Sequence, residues 1–363
     1  RAGRVARTLP RREIEGRLEN LIQRAGTEAA NRLRDEARTI APDLHRDAEA
    51  LLLDGLIGAM AGTREAPLTA STALARRRGR RYDPARLALF EKLHAALRGE
   101  PVAMRRGALR DGGQAATLAF YDAYFSNFIE GTEFAVDEAA DIVFGGRIPA
   151  ERPVDAHDIA GVWRVVSDPS EMRRVPRDAE ELLAILRRRH STILQNRPDV
   201  RPGEFKLAQN RAGATVFVRP DEVVGTLEQG FALYRSLETA FERAAFMLFL
   251  IGEVHPFADG NGRLARIMMN AELVSLDEER IVIPTVFRGD YLAAMRALTH
   301  NGVTEPLILM LDYAQRWTAA VDWRTVETTA RQLATCNAFL DSEAAGRDGL
   351  RLRLPHDLGL RDG

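Results

Sequence analysis

Within twelve residues, His255-Pro256-Phe257-Ala258-Asp259-Gly260-Asn261-Gly262-Arg263-Leu264-Ala265-Arg266 gathers an imidazole, a carboxylate, a glycine-rich turn and two guanidinium groups. Imidazole titrates at roughly pH 6.5, so His255 can take a proton from an attacking hydroxyl. Gly260, Asn261 and Gly262 let the backbone turn tightly, and Leu264, Ile267, Met268 and Leu273 then recur at helical spacing. A helix that starts on such a turn aims several N–H groups and the positive end of its dipole at one spot, which suits phosphate. Arg263 and Arg266 are three apart and project from neighbouring places on that first turn. Their planar forks donate paired hydrogen bonds to phosphate and keep their charge. Asp259 offers a hard oxygen ligand, and Mg²⁺ reaches nucleotide sites through one or two carboxylates plus the phosphates. Singly, each piece has an ordinary reading: a structural histidine, a plain turn, a solvated arginine face. Chance accounts poorly for all of them in one run.

Elsewhere the sequence holds two further segments that could serve this one. In Ser126-Asn127-Phe128-Ile129-Glu130-Gly131, Ser126 and Glu130 are four apart and share a helix face, and Gly131 reads as a helix stop. The run from Pro202 through Lys206, Leu207 and Gly213 to Thr215-Val216-Phe217-Val218 reads as two short extended stretches around a glycine, a β-hairpin.

The first motif fits His-x-Phe-x-(Asp/Glu)-Gly-Asn-Gly-Arg-x-x-Arg at every constrained position, and the chain resembles the Fic (Fic/Doc) family of protein adenylyltransferases over roughly residues 115–320. That resemblance implies transfer of AMP from ATP to a Tyr, Thr or Ser hydroxyl of a target protein, with release of pyrophosphate. It implies His255 as the base and Asp259 as the Mg²⁺ ligand. Asn261 and the N–H groups of Gly260 and Gly262 would stabilise the phosphate oxygens, with Arg263 on the β-phosphate and Arg266 on the γ-phosphate. Phe257 would anchor the loop in the core. Ser126, Glu130 and Gly131 resemble the family's inhibitory motif, in which the glutamate pairs with the second arginine and takes the γ-phosphate's place. The hairpin resembles the family's target-docking flap, here Lys206, Leu207, Thr215, Val216 and Phe217, with Lys206 where the family usually has arginine. Strand addition of this kind fixes a backbone while demanding little of its sequence. Two other readings stay open within the family: another nucleotide donor such as UTP, and removal of AMP. A third belongs to another class, a regulatory nucleic-acid-binding protein whose Fic site is idle. Self-modification and a homodimer also stay open.

The elements that must position these residues read as helices. Leu18, Leu21, Ile22, Ala25, Ala29 and Leu33 keep helical spacing, as do Leu87, Phe90, Leu93, His94 and Leu97. The apolar run Ala244 to Ile251 is too short to span a bilayer and reads as a buried helix delivering His255 at its end. The expected fold class is all-α, a Fic-type helical bundle with a β-hairpin flap, preceded by a helical N-terminal region. The expected division is a basic N-terminal region over 1–110, a catalytic domain over 111–320, and a helical segment and weakly packed tail over 321–363.

The 363 residues are 45% hydrophobic and 28% charged with a formal net charge of −1, enough chain for several domains and ample core. The single cysteine, Cys336, argues against a disulfide framework and for an intracellular, cytoplasmic protein. The opening residues, which start on Arg1, show no leader-like run. Lys92 and Lys206 are the only lysines, an arginine bias that reads as a GC-rich bacterial genome. Residues 1–110 carry 23 basic and 14 acidic residues, net +9 against −10 for the rest. The densest cluster is Arg76-Arg77-Arg78-Gly79-Arg80-Arg81. With no base-reading motif or interleaved aromatics beyond Tyr82, it reads as a solvated loop, and nucleic acid is not an expected partner. Nucleic-acid binding is the minority reading, and a basic part of this kind can also signal an acidic partner or docking onto the acidic remainder.

Overall fold

The computed structural model describes residues 9–61, 81–99 and 102–359, and the chain divides between Pro84 and Ala85 into two compact units. Among its described residues the smaller holds two long helices. Helix α1 (Arg11–Ile40) consists of two helical pieces meeting at Gly26, whose φ of +79° only glycine adopts freely. Helix α2 (Asp47–Met60) packs Leu56, Ile57 and Met60 against Leu18, Ile22 and Ala30 in a small core of its own. Arg76–Arg80 lie outside the described residues.

The larger unit carries all the motifs. Its first helix, α3 (Pro84–Gly99), sends Phe90, Leu93 and Leu97 into the main core. The division therefore falls at Pro84 rather than near residue 110. Arginines from this basic stretch pair with acidic side chains of the same unit: Arg86 with Glu253 at 2.7 Å, Arg105 with Asp312 at 2.6 Å, Arg110 with Glu279 at 2.6 Å.

Helix α4 (Gly112–Ile129) starts on a capping box between Asp111 and Gln114. It is buried on nearly every side from Thr117 to Asn127, the mark of a central helix. Helices α5 (Val136–Gly145), α6 (Pro153–Val166) and α7 (Ala179–Ile193) follow. The hairpin pairs β1 (Arg211–Ala212) antiparallel with β2 (Thr215–Val216) around Gly213. Helix α8 (Val223–Tyr234) then leads to α9 (Ala240–Val254), which begins on a Thr239–Glu242 capping box. Residues Ala244 to Ile251 of α9 are all buried. Helix α10 (Asn261–Ser275) runs back along it, so the motif forms the turn of a buried helical hairpin.

After α10, Ile281-Val282-Ile283 is buried, and among the described residues no strand pairs with it. Side chains answer its backbone instead: Ile281 N–H donates to Asn270 Oδ1 at 2.8 Å and Val282 N–H to Thr318 Oγ1 at 3.0 Å. Helices α11 (Arg288–Asn301), α12 (Glu305–Ala320), α13 (Val326–Thr335) and α14 (Ser342–Arg347) complete the unit. The end of the described chain is not the weakly packed tail expected from its Gly, Asp and Arg content. Leu352 and Leu354 are buried, and Tyr313 Oη donates to Leu352 O at 3.0 Å. Residues 321–359 accordingly belong to the larger core. No described helix is long and apolar enough to cross a membrane.

Candidate active site

Helix α9 ends on His255, which closes it in the left-handed conformation (φ +51°) with its N–H donating to Ile251 O at 2.9 Å. The ring lies flat on Phe217, centroids 3.7 Å apart and planes 6° from parallel. Its Nδ1 faces Gly252 O at 3.1 Å. A carbonyl can only accept, so Nδ1 carries the proton and Nε2 presents the lone pair. Burial pushes its pKa down to about 4, so the imidazole is neutral at pH 7.

The turn after His255 is fixed from several sides. Phe257 is fully buried and stacks at 3.8 Å on His190 of α7. His190 Nε2–H donates to Asp259 O at 3.0 Å, and its Nδ1 accepts from Gly203 N–H at 2.9 Å. Asn261 clasps the Phe257 backbone from both ends, accepting from its N–H at 2.8 Å and donating to its carbonyl at 2.9 Å. The Asn261 side chain thus holds the loop from both ends of its amide. The Gly260 N–H is likewise taken, by Asp259 Oδ1 at 2.7 Å. Gly260 sits at φ +72°, and a Cβ there would come within 2.7 Å of Leu194. The first N–H of α10 to make a helical bond is that of Leu264, on the O of Gly260 just ahead of the helix, at 3.0 Å. The amides of Asn261, Gly262 and Arg263 therefore form the open anion-facing end of the helix.

Each motif arginine is buried and paired. Arg263 meets Asp158 of α6 at 2.5 Å, with Asn127 Oδ1 at 3.4 Å and Asp259 at 3.6 Å. Arg197 reaches the same two carboxylates, Asp158 at 3.2 Å and Asp259 at 3.3 Å. Arg263 Nε and Asp158 Oδ1 are buried without a hydrogen-bond partner. Arg266 donates from Nε to Ser126 Oγ at 3.0 Å, and from Nη2 to Ser126 O and Glu130 Oε1, both at 2.7 Å. Glu130 caps α4 just before Gly131, whose φ of +93° turns the chain away. Arg288 fastens that end by donating to Ile129 O at 2.9 Å. The Glu130 carboxylate lies over the start of α10 so closely that a methyl group on Gly262 would collide with its Oε1.

The flap residues divide. Leu207 and Val216 point outward, 76% and 49% exposed. Lys206, Thr215 and Phe217 turn their side chains inward. Lys206 bonds Asn210 Oδ1, Thr215 bonds His300 Nε2 at 3.0 Å, and Phe217 covers His255. Sequence reasoning missed Asp158, Arg197, His190, Asn127 as a partner of Arg263, and Asn210. Asp158, Arg197 and His190 belong to no motif, Asn127 and Asn210 lie inside the Ser126–Gly131 and hairpin runs without having been assigned these contacts, and each reaches the site from a separate element. A cavity of about 740 Å³ lined by Phe287, Asp290, Leu309, Tyr313, Leu350 and Leu352, among others, shares no residue with this site.

Residues 180–273 match the Fic/DOC family: the chain carries a Fic/DOC domain, and the motif and its turn lie inside it. It is similar to "Protein adenylyltransferase Fic" of Drosophila willistoni, 25% identical over 239 residues, 62% of this chain and 45% of that protein. It is also similar to "Protein adenylyltransferase fic-1" of Caenorhabditis elegans, 29% identical over 110 residues, 29% of this chain and 22% of that one. The chain thus spans half or less of the length of these curated relatives. Among solved structures, Fic-1 (aa134 - 508) from C. elegans aligns with a TM-score of 0.46 at 16% identity, over 89% of this chain and 97% of that one.

Proposed function

We propose that the protein transfers AMP from ATP to a hydroxyl side chain of a target protein, and that Glu130 restrains it. The observation that carries this reading is the Glu130 carboxylate on Arg266, over Gly262. An anion of the protein itself is held at the helix start, where the anionic tail of a nucleotide would compete for the same guanidinium. The names of the relatives, protein adenylyltransferases, point the same way.

In this reading His255 Nε2 takes the proton of a Tyr, Thr or Ser hydroxyl as its oxygen attacks the α-phosphorus. The bond from that phosphorus to the bridging oxygen breaks, and pyrophosphate leaves. The amides of Asn261, Gly262 and Arg263 face the phosphates. Arg266 takes the γ-phosphate when Glu130 withdraws, and Arg263, held by Asp158, places its charge by the β-phosphate. Positioning and charge stabilisation of this kind carry most of phosphoryl-transfer catalysis.

Among the described residues no three His, Cys, Asp or Glu side chains cluster as a metal cage. A divalent ion would therefore take one carboxylate, Asp259, 42% exposed, and complete its shell from phosphates and water, which suits Mg²⁺. When bound, Mg²⁺ neutralises charge on the α- and β-phosphates. Leu207, Val216 and the flap backbone are the groups left to meet a target segment.

The test uses the Glu130→Gly protein in a cell lysate with Mg²⁺ and ATP labelled at either the α- or the γ-phosphorus. Label entering protein from the α position alone supports AMP transfer. Label from the γ position alone would mean phosphate transfer and overturn the proposal.

A further inference from the structure

The base of the flap is tied to the chain on both sides of His255. The Lys206 amide N–H donates to Pro256 O at 2.9 Å. The Lys206 ammonium donates to Val254 O at 3.3 Å and to Asn210 Oδ1 at 2.7 Å. Asn210 then donates from Nδ2 to Phe257 O at 2.8 Å. The carbonyls of Val254, Pro256 and Phe257, which bracket His255, thus all end on two flap residues.

That grip is made where the backbone needs it. His255 is a non-glycine residue in the left-handed region, a conformation that persists only when its surroundings over-determine it. Lys206 is only 5% exposed, and an ammonium in such a place is unfavourable unless its hydrogen bonds are answered. An apolar side chain of similar length would fill the space without that cost, so packing alone does not explain a lysine here. The same segment carries Phe217, whose ring lies against the imidazole.

We infer that Lys206 and Asn210 are positioning residues that hold His255 in its left-handed turn with Nε2 presented, so that the flap base and the catalytic loop act as one unit. What His255 does there rests on the adenylyltransferase reading; that it is held this way does not.

The charges around the imidazole give a second readout. Lys206 lowers the His255 pKa, while Glu130 and Asp259 raise it. Lys206 itself is pushed down to about 7, by burial first and then by Arg86. Removing the ammonium should therefore raise the His255 pKa.

The experiment compares Lys206→Met, Lys206→Arg and Asn210→Ala in two settings. In the full chain with Glu130 intact, the His255 ring is titrated by NMR with ring-labelled histidine. In the Glu130→Gly protein, AMP transfer is followed against ATP concentration and pH. We expect Lys206→Met to lower kcat by about tenfold to a hundredfold, the scale of a misplaced reacting group. The KM for ATP should stay within about twofold, because the phosphate-facing amides of α10 are untouched. Both the NMR titration and the acid limb of the rate profile should move up. Lys206→Arg, which keeps a donor for Val254 O, should restore most of kcat, and Asn210→Ala should show a milder loss. An unchanged kcat with an unmoved titration would overturn the inference. So would kcat and ATP affinity falling together with no rescue by arginine, which would make Lys206 part of the general packing. If the Glu130→Gly parent itself transfers no AMP, the proposed function fails, and the NMR titration still decides the role of Lys206.

Discussion

The two motif arginines sit one turn apart on α10, equally buried, and each meets a carboxylate from an earlier helix. Their surroundings differ in the exposure of that carboxylate and in what each arginine would keep without it. Asp158 lies within α6, and its side chain is 5% exposed. Removing it would leave Arg263 with only Asn127 at 3.4 Å and Asp259 at 3.6 Å. Glu130 is the cap just past the end of α4, and its side chain is 32% exposed. Without it, Arg266 keeps both bonds to Ser126. The same pairing chemistry is embedded in the core at one arginine and partly open to water at the other.

The sharpest way to break that contrast is to remove each carboxylate. Asp158→Ala should cost about 3–5 kcal/mol, the penalty of a buried charge left without its partner. Urea unfolding would show it as a lower midpoint. A cost under about 1 kcal/mol would put the two pairs in the same class. Next comes His190, fully buried beneath the Asp259 carbonyl on the Arg263 side. Burial lowers its pKa to about 4, so its share of stability is complete above about pH 6.5 and is lost as pH falls towards 4. Between pH 7 and pH 5 it should contribute about 2 kcal/mol of the loss. His190→Gln should flatten that part of the profile; an identical profile would mean the ring charges freely where it lies.

At the other arginine the effect should appear in ligand binding. Glu130→Gly should tighten ATP by about tenfold, the scale of one charge-assisted hydrogen bond no longer competing. Arg266→Ala should weaken ATP and make the Glu130 change redundant, and calorimetry on the four proteins of the cycle would show it. Additive effects would mean the two side chains do not compete with ATP through each other. Smallest of all, Glu130→Gly should shift stability by no more than about 1 kcal/mol, because a partly exposed pair is screened by water. A loss as large as that of Asp158→Ala would make Glu130 a structural residue.

The contiguous residues of the motif announced the turn, the buried helix that delivers His255 and the pairing chemistry of the arginines. Helical spacing along α1, α3 and α10 announced a helical fold, and the unbroken apolar run Ala244 to Ile251 announced the buried helix α9. Asp158, Arg197 and His190 could not be read the same way. An aspartate inside an amphipathic helix looks alike whether it faces water or an arginine 105 positions later. The Asn261 side chain is a related case: its residue type suits phosphate, and only the fold shows its amide holding the Phe257 backbone. In the hairpin the strands are two residues long, too short for alternation to say which side chains turn inward. At the chain's end, the alternating Leu350-Arg351-Leu352-Arg353-Leu354 was a legible packing signal beneath a composition that reads as a tail.

The most direct test of a releasable Glu130 is incorporation of label from α-labelled ATP with Mg²⁺. It compares wild type, Glu130→Gly and Glu130→Gly/His255→Ala, each on the protein itself and on a cell lysate. The account predicts faint label in wild type, strong label in the single variant and none in the double variant. Equal label in wild type and Glu130→Gly, or label that survives the loss of His255, would contradict it.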